Sequence, residues 1–333
     1  MFCFPILTPP DKYGSFMTNA RKSDLFLVVV TLLAAISWIF SKEAILLMPP
    51  LLFMGVRFLI AGGLLAIIAW RTLAGLSPDQ VRRSLAVGSV FGIAMSFWIM
   101  GLFYGTSMGE GAFLTSLGVV IVPLVARCLF KEAQPTSTWL AVPIAIFGLA
   151  LLSLKNGFHP QPWQLLFVLS ACIFALYFTL VTRATNQRTI VGPRGENIHK
   201  QRISALPLTA IVLSTVGLIT LAASLALEYP ALASVPFTDP ELIGWVLASA
   251  VIGTSGRFLL QTYAQSLSPH SHGVVILILE PVWVALFAAS WFGESMTPIQ
   301  IAGCGVIFTA LIVNRWGVFS RAIKEQMRIR KSS

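Results

Sequence analysis

Residues 261–305 read QTYAQSLSPHSHGVVILILEPVWVALFAASWFGESMTPIQIAGCG. A polar hairpin over residues 266–272 leads into about twenty mostly apolar residues, enough to cross a bilayer core as helix. That run carries one acid, Glu280, followed at once by Pro281, which has no backbone N–H to give a helix. It stops at Gly293-Glu294-Ser295-Met296, and Pro298 opens the next apolar run. A carboxylate beside a proline inside a span is expensive, and a segment that only anchors has no use for one.

The rest of the chain has the same character. Of its 333 residues, 56% are hydrophobic and only 11% are charged, with a mean hydropathy of +0.82. A soluble protein carries about 25% charged residues. The chain is therefore expected to be a polytopic, all-α membrane protein. Its four cysteines (Cys3, Cys128, Cys172 and Cys304) show no pair spacing, so neither a disulfide framework nor a zinc site is indicated. Residues 1–16 contain three prolines and do not form a cleavable signal. Met17 begins a more ordinary membrane-protein start, and translation is expected to begin there.

Apolar runs of spanning length lie near 24–47, 50–70, 85–106, 110–130, 137–154, 163–182, 205–227, 241–264, 271–292 and 298–315. Ten transmembrane helices are the expectation. With both termini inside, nineteen of the 23 Lys and Arg fall on the cytoplasmic side. Only Lys42 and Lys155 fall outside, and Arg57 and Arg257 lie within spans. That bias orients the chain and accounts for its formal charge of +10, which needs no nucleic-acid partner. Attraction to anionic headgroups of the surrounding bilayer follows from the same charge.

The chain also repeats itself. Leu102-Phe103-Tyr104 precedes an apolar run reaching Pro123, then Phe130-Lys131-Glu132 and Pro135. Thr262-Tyr263-Ala264 precedes a run reaching Pro281, then Phe292-Gly293-Glu294 and Pro298. Ser37-Trp38 in the first span matches Leu176-Tyr177 in the sixth. Five spans form each copy, and an odd number turns the second copy over. Inverted repeats are a carrier signature, with the substrate site expected near the midplane between them. The division is a cytoplasmic segment over 1–23, repeats over 24–155 and 156–316, and a basic cytoplasmic tail over 317–333.

PPLLFMGVRFLIAG (49–62), QTYAQSLSP (261–269), LEPVWVALFA (279–288) and GESMTPIQIAGCGVI (293–307) resemble the EamA-type transporters of the drug/metabolite transporter superfamily. The resemblance runs from about residue 24 to 316. It implies a ten-helix carrier of the bacterial inner membrane, often an exporter of amino acids or related small metabolites. It also implies that the third, fourth, eighth and ninth spans form most of a central cavity. Two departures stand out. The 184–204 loop is long, and Glu110 occupies a place where a small or polar residue is expected.

Arg257 and Glu280 lie eleven and twelve residues from the hairpin tip on antiparallel helices, so they should meet at matching depth. They form either a switchable bridge that binds a zwitterion or proton, or a permanent clamp between two helices. Gln261 and Gln265 repeat the face of Arg257. Trp98, Tyr104, Tyr263 and Trp283 offer aromatic surface at similar depths, either as substrate contacts along the pathway or as lipid-facing and packing residues. Arg57 is expected to pair with Glu43 across the first hairpin, as an outer gate or as an anchor. Pro123 and Pro281 are expected to kink their helices, as a structural bend or as a functional hinge. Glu132 and Glu294 end matching runs and are expected to cap helices or pack loops.

Coupling to the proton gradient, with Glu280 the first candidate and Glu110 the second, and uniport are both compatible with these residues. No nucleotide-binding or hydrolase motif occurs, and no cofactor or catalytic group is expected. His159, His199, His270 and His272 lie in loops without ligand-spaced carboxylates. The rival readings are a carrier of lipid-linked or sugar-containing metabolites, a membrane enzyme acting on lipid, and a non-transporting scaffold. The sequence leaves open the substrate, the direction of transport and whether two copies associate as a homodimer.

Overall fold

The computed structural model describes residues 12–105, 107–132, 136–153, 161–186, 188–191, 197–267, 276–277, 279–295, 297–299, 301–303, 305–306, 308–310 and 313. The expectations placed on His159, His270, His272, Cys3, Cys304 and the basic tail over 317–333 fall outside these residues.

Helix α1 (Lys12–Leu47) is followed across Met48-Pro49 by α2 (Pro50–Ile68) and the short α3 (Trp70–Ala74). Then come α4 (Pro78–Tyr104), α5 (Met108–Phe130), α6 (Thr136–Ser153) and α7 (Pro162–Thr185). Strands β1 (Arg188–Val191) and β2 (Asn197–Lys200) form an antiparallel pair with Arg188 opposite Lys200. The second half continues with α8 (Ala205–Leu227), the short α9 (Tyr229–Leu232) and α10 (Pro240–Ala248). A π-helical segment (Ser249–Gly256) leads into α11 (Arg257–Ser266), and α12 is Glu280–Phe292. Beyond it, residues 298–299, 301–303, 305–306, 308–310 and 313 have helical backbone.

Proline and polar side chains set the helix starts. Pro50 opens α2, where a missing N–H costs nothing, and the free amides of Leu51 and Leu52 donate to the Glu228 carboxylate at 2.9 and 3.0 Å. Ser77 caps α4 in a reciprocal box with Gln80, and Pro78 follows it. Lys200 meets Asp79 at 2.6 Å, so the long loop is tied to this same end of α4.

Seven described helical stretches are long and apolar enough to cross a membrane. They are α2, α4, α5, α7, α8, residues 22–47 of α1, and the continuous run Pro240–Ser266 through the π segment. Large side chains such as Leu46, Ile67, Ile68, Leu140 and Leu218 point outward, as a bilayer solvent permits. Inside, close helix approach depends on small residues. A Cβ on Gly62 would lie 2.5 Å from Ser214 Oγ, and one on Gly217 would lie 2.7 Å from Leu59 Cγ, which brings α2 and α8 into direct backbone contact.

Two expected spans have a different build. The eighth is interrupted by the π segment, whose hydroxyls bond carbonyls five residues back, Thr254 to Ser249 at 2.8 Å and Ser255 to Ala250 at 2.9 Å. In the ninth, Ile276, Leu277 and Leu279 are 3₁₀ and α-helix starts only at Glu280. Pro281 therefore lies in the first turn of a helix and does not kink a continuous one, because its absent N–H falls where no partner was needed. Pro123 does lie inside α5, where it is buried.

Candidate functional site

The two interrupted helices place charge against charge. Arg257, the first residue after the π segment, donates from Nη2 to Glu280 Oε2 at 3.2 Å. Glu280 sits in the first turn of α12, at the positive end of its dipole. Its other oxygen accepts the Trp38 indole N–H of α1 at 2.8 Å. The Trp38 ring lies edge-on to Trp98 of α4, with centroids 4.6 Å apart. The pairing read from hairpin counting is thus present, with an indole donor the sequence reading did not identify. Its only sequence signal was the Ser37-Trp38 match to Leu176-Tyr177.

From Arg257 a polar row continues along one face of α11. Gln261 and Gln265 are 1% and 3% exposed, and none of their side-chain oxygens and nitrogens has a hydrogen-bond partner among the described residues. The same holds for Arg257 Nε and for the indole nitrogen of Trp283 on α12. Leaving such groups buried and unsatisfied is costly anywhere, and more so where no bulk water is present.

A second cation lies close by. Arg57, 2% exposed, donates Nε to Thr254 of the π segment at 2.7 Å, Nη1 to Ser41 at 2.6 Å and Nη2 to Ser37 at 2.8 Å. The expected Glu43–Arg57 pair does not form. Glu43 accepts instead from the Trp291 indole at 2.9 Å. Ser37 and Ser41 share a helix face, whereas Glu43 is rotated about 200° from Ser41, so matching depth was not enough.

The other predicted residues are distributed as follows. Tyr263 is 46% exposed, with its ring against Phe26 at 5.7 Å, on the far side of α11 from Gln261. Tyr104 is 57% exposed and lines a separate groove of about 670 Å³ with Met48, Pro50 and Glu228. Neither joins the buried polar row. Glu110 lies in the first turn of α5 and accepts from Gln164 of α7, at a helix end and not beside Glu280.

Glu294 binds Lys42 at 3.0 Å and accepts from Ser107 Oγ and the Met108 amide, each at 3.0 Å, so it caps α5. Burial raises its pKa, but the Met108 amide, Lys42 and Ser107 outweigh that and hold it below the ordinary carboxylate value. Glu132 binds Arg183 at 2.7 Å. Both acids do the capping and packing work expected of them.

A fold built mostly of apolar spans agrees with the comparisons with known proteins. The EamA-like transporter family model matches residues 21–154 and again residues 161–316. The chain belongs to the EamA-like transporter family. A protein of Archaeoglobus fulgidus named as an uncharacterized transporter is 26% identical over 292 residues, covering 87% of this chain and 85% of that protein. A solved crystal structure superposes with a TM-score of 0.63 at 16% identity, covering 88% of this chain and 96% of the other, which shows a shared fold. These matches make the chain a multi-pass membrane transporter of the EamA family and point away from the enzyme reading.

Proposed function

We propose that this EamA-family chain is a secondary carrier that exports a small metabolite by alternating access, with both termini cytoplasmic in a bacterial inner membrane. Ten spans would form two inverted five-helix repeats, and the substrate would cross at the midplane between them. Two family matches of similar length in one chain support the repeat. The observation that carries the reading is the Arg257–Glu280 bridge where two helices depart from regular α-geometry. Broken helices in a bundle core place charged groups and free backbone where a solute can reach them, and π segments favour functional sites.

Glu280 would exchange Arg257 for a proton or for substrate during the cycle. Pro123, inside α5, would act as a hinge, and the turns holding Glu294 and Glu132 would close the two ends. Amino acids are the first substrate class to examine. The test compares medium metabolites from cells producing the wild type or Glu280→Gln at matched membrane abundance. A compound group that rises only with the wild type supports the reading. Equal export by both proteins removes Glu280 from the mechanism.

A further inference from the structure

We propose that the solute bound beside Arg257 is a small carboxylate with a net charge of −1, preferred over a zwitterion or neutral molecule of the same size. The inference rests on the carrier reading above and narrows its ligand from amino acids in general to small solutes that carry a net negative charge.

The charge balance of the site leads to this. Two guanidinium groups share the buried region with one carboxylate in contact. Arg257 takes Glu280, while no carboxylate lies within 4 Å of Arg57 among the described residues. The two cations are near one another. The Arg57 guanidinium lies 5.3 Å from the Phe58 ring, that ring 5.9 Å from Phe258, and the Arg257 guanidinium 4.4 Å from Phe258. An arginine does not shed its proton to escape such a site. The three hydroxyls around Arg57 only solvate its charge. Thr254 and Ser41 donate their own O–H groups in hydrogen bonds to the Ser249 and Ser37 carbonyls, at 2.8 and 2.7 Å, which turns their oxygens toward the guanidinium. One positive charge is thus left without a counter-ion among the described residues, within a membrane span, where it is expensive.

The unpartnered atoms fit such a ligand. Arg257 Nε, the amides of Gln261 and Gln265, and the Trp283 indole nitrogen supply N–H groups from two helices, and all are buried without partners among the described residues. Both oxygens of Glu280 are already taken, by Trp38 and Arg257. Donors in this row therefore outnumber acceptors, which are the Gln261 and Gln265 carbonyl oxygens. A carboxylate with one hydroxyl or amino group would accept from the donors, give a proton to a glutamine oxygen and neutralise the surplus charge.

The experiment uses the purified full-length protein with two matched pairs, lactate with lactamide and glutamate with glutamine. Binding is read by thermal shift, and movement by flux into liposomes. The expected result is that each anion raises the melting temperature at millimolar concentration and its amide partner does not. Glu280→Gln, which keeps side-chain size and releases Arg257, should bind the anions about tenfold more tightly. Arg257→Gln should lose the preference. Equal stabilisation by anion and amide, no stabilisation by either anion, or weaker anion binding in Glu280→Gln would each overturn the proposal. Flux of the amides but not the anions overturns this inference and leaves the carrier reading intact. Anion binding without flux of any solute does the reverse.

Discussion

Glu294 and Glu132 lie at opposite ends of α5 and close turns of the same build. Glu294 holds Lys42 at 3.0 Å with that ammonium 4.7 Å from the Phe292 ring, and Glu132 holds Arg183 at 2.7 Å with its guanidinium 4.1 Å from Phe130. In each, the glutamate amide reaches six residues back, to Ala288 or Ala126, across a left-handed residue. This is the helix-ending pattern with its αL position at Gly293 or Lys131.

Because Glu294 holds both Lys42 and the first turn of α5, Glu294→Gln loses the ion pair and weakens the cap. The expected cost is about 1–2 kcal/mol of stability. Thermal unfolding in detergent measures it, and an unchanged melting temperature would show that the turn is decorative.

The pKa of Glu294 is depressed, so its contribution to stability is fully present above the ordinary carboxylate value of 4.5 and is lost as pH falls through the lower folded value. The wild type should lose more stability in that acid window than Glu294→Gln does. Parallel pH–stability curves for the two proteins would contradict this.

Lys131 adopts φ 54°, a conformation that penalises any Cβ, while the matching position holds Gly293 at φ 66°. Lys131→Gly should therefore stabilise by about 1 kcal/mol and Gly293→Ala destabilise by a similar amount. Melting temperatures moving in opposite directions would bear this out.

A Cβ added at Gly217 would lie 2.7 Å from the Leu59 backbone nitrogen, whereas one added at Gly63, on the same helix as Leu59, would meet nothing within 4 Å among the described residues. Gly217→Val should cost about 1–3 kcal/mol by forcing α2 and α8 apart. Gly63→Ala should be neutral or mildly stabilising, and equal effects of the two would refute the close-approach argument.

Depth was legible in the sequence and rotation was not. Counting from a hairpin tip placed Arg257 opposite Glu280, because rise per residue is fixed once helices are antiparallel. The same counting put Glu43 opposite Arg57 and failed, since a two-residue offset turns a side chain to the other face. The π segment has no sequence marker beyond Gly253, Thr254, Ser255 and Gly256, yet it carries Thr254, the partner of Arg57 Nε. Trp38 reaches Glu280 across 242 residues of chain, a contact that depends on how α1 is rotated against α12. Pro281 was recognised as a break, but whether a proline bends a helix or begins one depends on backbone that the sequence does not display.

The most direct test of the carrier reading is solvent access to Gln265, a side chain 3% exposed in this conformation. Gln265→Cys in a background lacking the native cysteines would be treated with a membrane-impermeant thiol reagent from each side of the membrane in turn. Alternating access predicts labelling from both sides, with the cysteine open to one side at a time. No labelling from either side, or labelling from one side alone under every condition, would contradict it.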